Sequence, residues 1–174
     1  MERNAEKMLD MVAAHMLVDD INKGVLSRMV YKYRSISQVL RFLDDRKLYF
    51  ARPSEFNDPF EGKYFLADTS EGAKKREEIE NKRIAEMGIF CVGTDPANLI
   101  MWSHYCDFHK GATIEFDMMQ DIAFFGGAVP VCYHKGYPCF HNKDSVLMQS
   151  IQHKFDEWSH EKEVRIIKQL KFRI

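Results

Sequence analysis

Apolar positions recur along this chain with a period that changes every ten or so residues, and each change marks an element. Residues 8–21 place Met8, Met11, Val12, Leu17 and Ile21 at near-helical spacing with no Gly or Pro between them. That predicts an N-terminal helix packed on the domain or on a partner. Residues 29–33 read as a short strand. Ser35 and Gln38 then form a capping box, in which each side chain satisfies an orphan amide of the first turn. Ile36, Val39, Leu40 and Leu43 follow at i, i+3, i+4 and i+7, so 35–45 is predicted to be an amphipathic helix. Residues 48–50 read as a short apolar strand running into a loop built on Pro53 and Pro59. Residues 70–87 are charge-dense, with Glu78 and Lys82 at i,i+4 spacing, and read as a solvated helix.

Further along, 88–92 reads as a buried strand. Asp95 and Pro96 read as an N-cap and a helix-starting proline for a helix over 97–105, with Leu99, Trp102 and Cys106 on one face. Residues 111–116 alternate: Ala112, Ile114 and Phe116 face one way, Thr113 and Glu115 the other. Residues 129–133 read as a strand. Asp144 is placed to cap a helix carrying Val146, Leu147, Ile151 and Phe155. In the last strand, 163–168, Val164 and Ile166 point inward and Glu163 and Arg165 outward. The strands are short and none carries a Gly-rich phosphate turn. The order predicts an α+β fold with a mixed, largely antiparallel sheet and flanking helices. Residues 1–27 form a helical extension and 28–174 a single domain.

Composition narrows the partners. The 174 residues carry 25 Lys+Arg against 26 Asp+Glu, a net charge of -1. That balance gives no global field toward nucleic acid or an anionic membrane. No apolar run approaches the ~20 residues of a membrane span. Cys91, Cys106, Cys132 and Cys139 are few for this length, which suits free thiols in a reducing cytoplasm.

The usual signatures of chemistry are absent: the sequence has neither GxxxxGK(S/T) nor GxGxxG, neither GxSxG nor HExxH. Cys132-x-His134 and Cys139-x-His141 offer two thiols and two imidazoles to zinc. Their spacing departs from the Cys loops of zinc ribbons, so core or surface roles are favoured and no metal is expected. Trp102, His104, Tyr105 and His109 crowd one short segment; singly each reads as a structural residue, together they stand out. Asn57 before Asp58-Pro59 builds a turn or borders a site. Glu161, Glu163 and Arg165 share one strand face. A carboxylate beside a guanidinium stays ionised, able to stabilise a developing cation or bind ribose hydroxyls, or else to make an ion pair on an exposed face.

Several segments together resemble one bacterial family, catalogued as domain of unknown function 2971. They are Tyr31-Lys32-Tyr33-Arg34-Ser35-Ile36, the stretch 48–61, Met101-Trp102-Ser103-His104-Tyr105 with His109-Lys110-Gly111, and 158–165. Their layout also resembles the ADP-ribosyltransferase fold, where three strands each offer a residue to NAD. That resemblance puts Tyr33 and Arg34 at the first position, with Lys32 where the fold usually carries His. It puts 90–94 at the second position and Glu163 at the third. It implies NAD as substrate, Arg34 on the pyrophosphate, Glu163 on the ribose 2′-hydroxyl and Trp102 or Tyr105 stacked on nicotinamide or acceptor. An enzyme of this kind gathers Glu163 and His104 as catalytic groups, with Tyr33, Arg34, Asn57, Trp102, Tyr105 and Arg165 around the nucleotide.

Three functions follow in order. The first is an NAD-consuming transferase or glycohydrolase with a toxin or phage-defence role and a protein or nucleic-acid acceptor. The second is a non-catalytic nucleotide- or protein-binding module, an oligomer through its N-terminal helix. The third is a metal-dependent nuclease using Asp58, Glu61 and Glu115.

Overall fold

A computed structural model describes residues 2–58, 60, 61, 63–66, 70–136, 139, 140 and 146–169. The elements are α1 (Glu2–Asn22), β1 (Met29–Arg34), α2 (Ile36–Asp45), β2 (Phe65–Leu66), α3 (Glu71–Ala85), β3 (Met87–Gly93), α4 (Leu99–Tyr105), β4 (Ala112–Asp117), α5 (Ile122–Phe125), β5 (Val129–Pro130), β6 (Cys132–His134), β7 (Cys139–Phe140), α6 (Val146–Gln152), β8 (His153–Phe155) and β9 (Glu163–Gln169). This is the α+β architecture the patterning predicts. The main sheet has the order β4-β1-β3-β9-β5, with β4–β1, β1–β3 and β5–β9 antiparallel. Two small parallel ribbons, β2–β7 and β6–β8, accompany it. No helix among the described residues is long and apolar enough to cross a membrane.

The chain clusters into two compact units. The first comprises 1–48, 91–130 and 160–166; the second comprises 49–90, 131–159 and 167–174. In the first, β1 pairs along its whole length with β4, from Met29 opposite Asp117 to Arg34 opposite Ala112. The α2 capping box forms as the sequence predicts, with Ser35 Oγ accepting from Gln38 N–H. Helix α1 packs on α5, and Leu17 is buried while Met8, Met11, Val12 and Met16 stay exposed. At the sheet edge, Pro130 of β5 lies opposite Val164 of β9. In the second unit α3, capped by Ser70, lies against α6.

Several local expectations are corrected. Residues 48–50 form no strand; Ala51 makes an isolated bridge to Ile89. The predicted 129–133 strand is two strands, β5 and β6, joined at Val131. The helix after residue 145 ends at Gln152, and Phe155 belongs to β8, where β6 supplies a parallel partner. Asp144 lies outside the described residues. The cap of α4 is Asn98, whose Oδ1 accepts from Ile100 and Met101 N–H. Asp95 instead turns its carboxylate to Ala97 N–H and the Lys162 ammonium. The later start rotates the buried stripe: Met101 and Cys106 are buried, with Trp102 and Tyr105 beside them, and Leu99 is exposed. In β9, Glu163 and Arg165 are buried along with Val164 and Ile166, so both faces of the strand are covered.

Between α4 and β4 the backbone is unusual. Asp107, Phe108 and His109 have φ of 48°, 52° and 66°, three successive non-glycine residues in the left-handed region, each costing about 1 kcal/mol. The turn is held by His109 N–H to Trp102 O and by Lys110 and Gly111 N–H to Cys106 O. Gly111 is required there: a Cβ would meet Cys106 Cα at 2.7 Å and Cys106 Cβ at 2.8 Å. Gly111→Ala is therefore expected to cost about 3 kcal/mol of stability, read as a lowered urea midpoint at an unchanged m-value.

Candidate functional site

In the first unit, β1, the 91–94 end of β3, α4 and the 160–166 segment concentrate polar side chains that a sheet centre normally excludes. Lys32 and Arg34 are two residues apart on β1 and project to the same face. The Lys32 ammonium donates to Cys91 O at 2.5 Å. Burial, and then the Arg34 guanidinium, push its pKa down to about 8; Cys91, Glu163 and Glu161 pull the other way. Glu163 and Arg165 form a two-point pair, with Nε to Oε1 at 2.9 Å and Nη2 to Oε2 at 3.0 Å. Their exposures are 6% and 0%, so the expected exposed-face ion pair is an interior one.

Arg34 has a different environment. Burial lowers its guanidinium pKa, and the groups that act on it are Cys91, Cys106 and Tyr105. Among the described residues no carboxylate pairs with it. It is thus a part-buried cation without an anion. A planar fork so placed is suited to a phosphate or carboxylate from outside the chain.

The aromatic group is built on α4. Tyr105 donates its hydroxyl to Glu161 Oε1 at 2.6 Å, tying α4 to the residue before the β9 turn. Glu161 is buried and Lys162 is left-handed at φ 45°. Tyr33 donates to Asp95 O and stands edge-on to Trp102, ring centroids 5.8 Å apart. The Trp102 indole N–H is engaged with Pro96 O at 2.8 Å. His104 is exposed, with its ring 6.2 Å from that of Tyr105 and 6.2 Å from that of His160. Asn98 Nδ2 reaches His160 O at 2.5 Å.

Of the eight residues singled out from the sequence, Tyr33, Arg34, Trp102, His104, Tyr105, Glu163 and Arg165 lie in the first unit and Asn57 in the second, exposed. Arg165 is fully enclosed and pairs with Glu163. Lys32 was legible only as the residue in the place of a histidine; Lys-x-Arg on one strand face is the signal that marks it. Glu61 of the nuclease reading pairs with the buried Lys154 at 3.8 Å. Among the described residues no three His, Cys, Asp or Glu side chains gather to hold a metal ion. Cys91, Cys106 and Cys132 are free thiols; His141 and the Cys139 side chain, needed for the four-residue zinc set, lie outside the described residues. Comparison with family models, curated proteins and solved structures returned no match.

Two outcomes test this geometry. Arg165→Met strands the Glu163 carboxylate and is expected to cost about 3–5 kcal/mol, whereas Glu163→Gln with Arg165→Met together cost less than the two changes summed; a denaturant double-mutant cycle reads this. Lys32 is lowered from 10.5 to about 8 on folding, so the unfolded chain binds more protons between those values and stability rises with pH there. Relative to Lys32→Met, the native chain is expected to gain stability from pH 8 to pH 10, measured by urea unfolding.

Proposed function

We propose that the first unit binds NAD and breaks its nicotinamide–ribose bond, as the resemblance to the ADP-ribosyltransferase fold implies. The observation that carries this reading is the Arg34 guanidinium, with which no carboxylate pairs among the described residues, on the same sheet as a buried Glu163 that pairs with Arg165. The order β1-β3-β9 supports it, since the three strands assigned by that resemblance stand side by side with the 90–94 strand in the middle. Kinship with the family of domain 2971, and the toxin or phage-defence role attached to it, belong to the same proposal.

The chemistry asks little of the protein beyond placement. Nicotinamide in NAD carries a positive charge and leaves as a neutral base with the bonding pair, so no general acid is needed. Positive charge then builds on the ribose, as in glycoside hydrolysis. Glu163, held ionised by Arg165, accepts the ribose 2′-hydroxyl and stabilises that charge. Arg34 takes the pyrophosphate. Water, or a nucleophile of a protein or nucleic-acid acceptor, forms the new bond to C1′ and releases its proton to solvent. His104, exposed on α4, is in this reading the catalytic group assigned to the acceptor side.

A second reading, a non-catalytic binding module, is favoured by the exposed Met8, Met11, Val12 and Met16 of α1 and by Phe108, which is 76% exposed at the left-handed turn.

Release of nicotinamide from NAD separates the two. The enzyme reading expects turnover that falls at least ~100-fold in Glu163→Gln with binding kept. It expects Arg34→Gln to weaken NAD binding about tenfold or more. A chain that neither binds nor consumes NAD at millimolar concentration overturns it. A module that stays folded as Glu163→Gln keeps its partner, and it loses that partner on Met11→Lys.

A further inference from the structure

Helix α1 buries one face and leaves an equally apolar face open. On the inner side, against α5, Leu17 is 1% exposed and Ala13 and Ala14 are half-buried. A Cβ at Gly126 would stand 3.4 Å from Ala13 C and Ala14 N, so the chain after α5 touches the α1 backbone there. On the outer side, Met8, Leu9, Val12 and Met16 follow at i, i+1, i+4 and i+8 and share one stripe. Their exposures are 66%, 66%, 51% and 59%, and Met11 at the border of the stripe is 73% exposed. A surface helix ordinarily turns charged and polar residues outward. Here the open apolar area is on the order of 600 Å², the upper end of the largest patch on a typical monomer.

We propose that this face docks on the same face of a second copy of the chain, the two helices crossing antiparallel at Val12. Two such patches together bury about 1,200 Å², the lower limit of a specific interface, so the stripe alone suffices. It is symmetric about Val12, with Met8 and Met16 four residues to either side. A two-fold axis there sets Met8 of one copy against Met16 of the other and Val12 against its own copy, the isologous match of a closed dimer. Charge selects the direction. Asp19 is offset by Lys23, which leaves Asp20 as the acidic group near the end of α1. A parallel pair sets Asp20 beside its own copy. The antiparallel pair sets it beside the first turn of the partner helix, whose open amides carry partial positive charge. The dimer rests on the part of the binding-module reading that gives α1 a partner; it supplies that partner and asks nothing of the NAD chemistry.

Sedimentation velocity of the full chain, from submicromolar to submillimolar concentration, is expected to show a reversible monomer–dimer equilibrium. Leu9→Glu and Met16→Glu, at exposed positions and with helical circular dichroism unchanged, raise the dissociation constant about tenfold or more, since each buries a charge at the centre of the interface. Cysteine pairing reads the direction. In a parent with the exposed thiol of Cys132 removed as Cys132→Ser, Val12→Cys crosslinks to its own copy under mild oxidation, and Met8→Cys does so only together with Met16→Cys. A chain monomeric throughout the range, a Leu9→Glu chain as dimeric as the parent, or Met8→Cys crosslinking by itself overturns the proposal. A monomeric chain that binds phosphatidylcholine vesicles, or that holds a different protein lost on Met11→Lys, assigns the face to a bilayer or a heterologous partner; the second copy is then overturned, and the different protein leaves the module reading standing.

Discussion

Taking Glu163 and Arg165 out of water on the same face of β9 removes the hydration of two ions, several kcal/mol each even after relaxation. Only a geometry in which both carboxylate oxygens meet guanidinium donors offsets that loss, and the 2.9 and 3.0 Å contacts supply it. The rest of the first unit is arranged around this constraint. Val164 and Ile166 fill the alternate face. The Lys32 ammonium of β1 donates to Cys91 O and feels the field of the two glutamates, and Tyr105 holds Glu161 from α4. Loss of one member leaves a buried charge that the neighbouring apolar side chains cannot solvate.

The two arginines of the sheet illustrate how burial and pairing separate roles. Arg165 is enclosed and grips Glu163, its own strand neighbour, at two points, so it fixes the orientation of that carboxylate. Arg34 is part-buried among two thiols and a phenol, and among the described residues no carboxylate pairs with it. Residue type alone does not separate two such arginines, but here their surroundings differ in kind. The left-handed residues 107–109 and 162 border the same region, and strain of this sort gathers where chain geometry serves a ligand rather than stability.

Elements with their own local signals were legible in the sequence. The Ser35–Gln38 box, the alternation of β4 and the apolar run of β3 each depend on neighbours within a few residues, and each appears where the pattern puts it. What could not be read depends on partners distant in sequence. Asp95 and Asn98 are equally good N-caps by type, and the contact of Asp95 with Lys162, 67 residues away, is not visible in the local pattern. Phe155 continues a helical stripe in sequence, yet β6 draws it into a ribbon. The polar–apolar alternation of β9 correctly predicts two faces but assigns one to solvent, since periodicity carries no information about what covers a strand. For the site, Arg34 and Glu163 could be nominated from the sequence, while the contrast between a paired and an unpaired arginine needed coordinates. The meeting of the His134 and His153 rings in the second unit, centroids 4.3 Å apart, escaped the sequence because His153 is far from the Cys132-x-His134 stretch.

Pro130 has a consequence for how the main sheet can grow. It closes the short β5 edge with a residue that has no amide hydrogen to offer, so an incoming strand finds a broken ladder on that side. The opposite border, β4, runs six residues with an unbroken set of amides and carbonyls. Recruitment of an extended peptide, or fibril-like stacking of damaged molecules, is thereby channelled to a single border of the sheet.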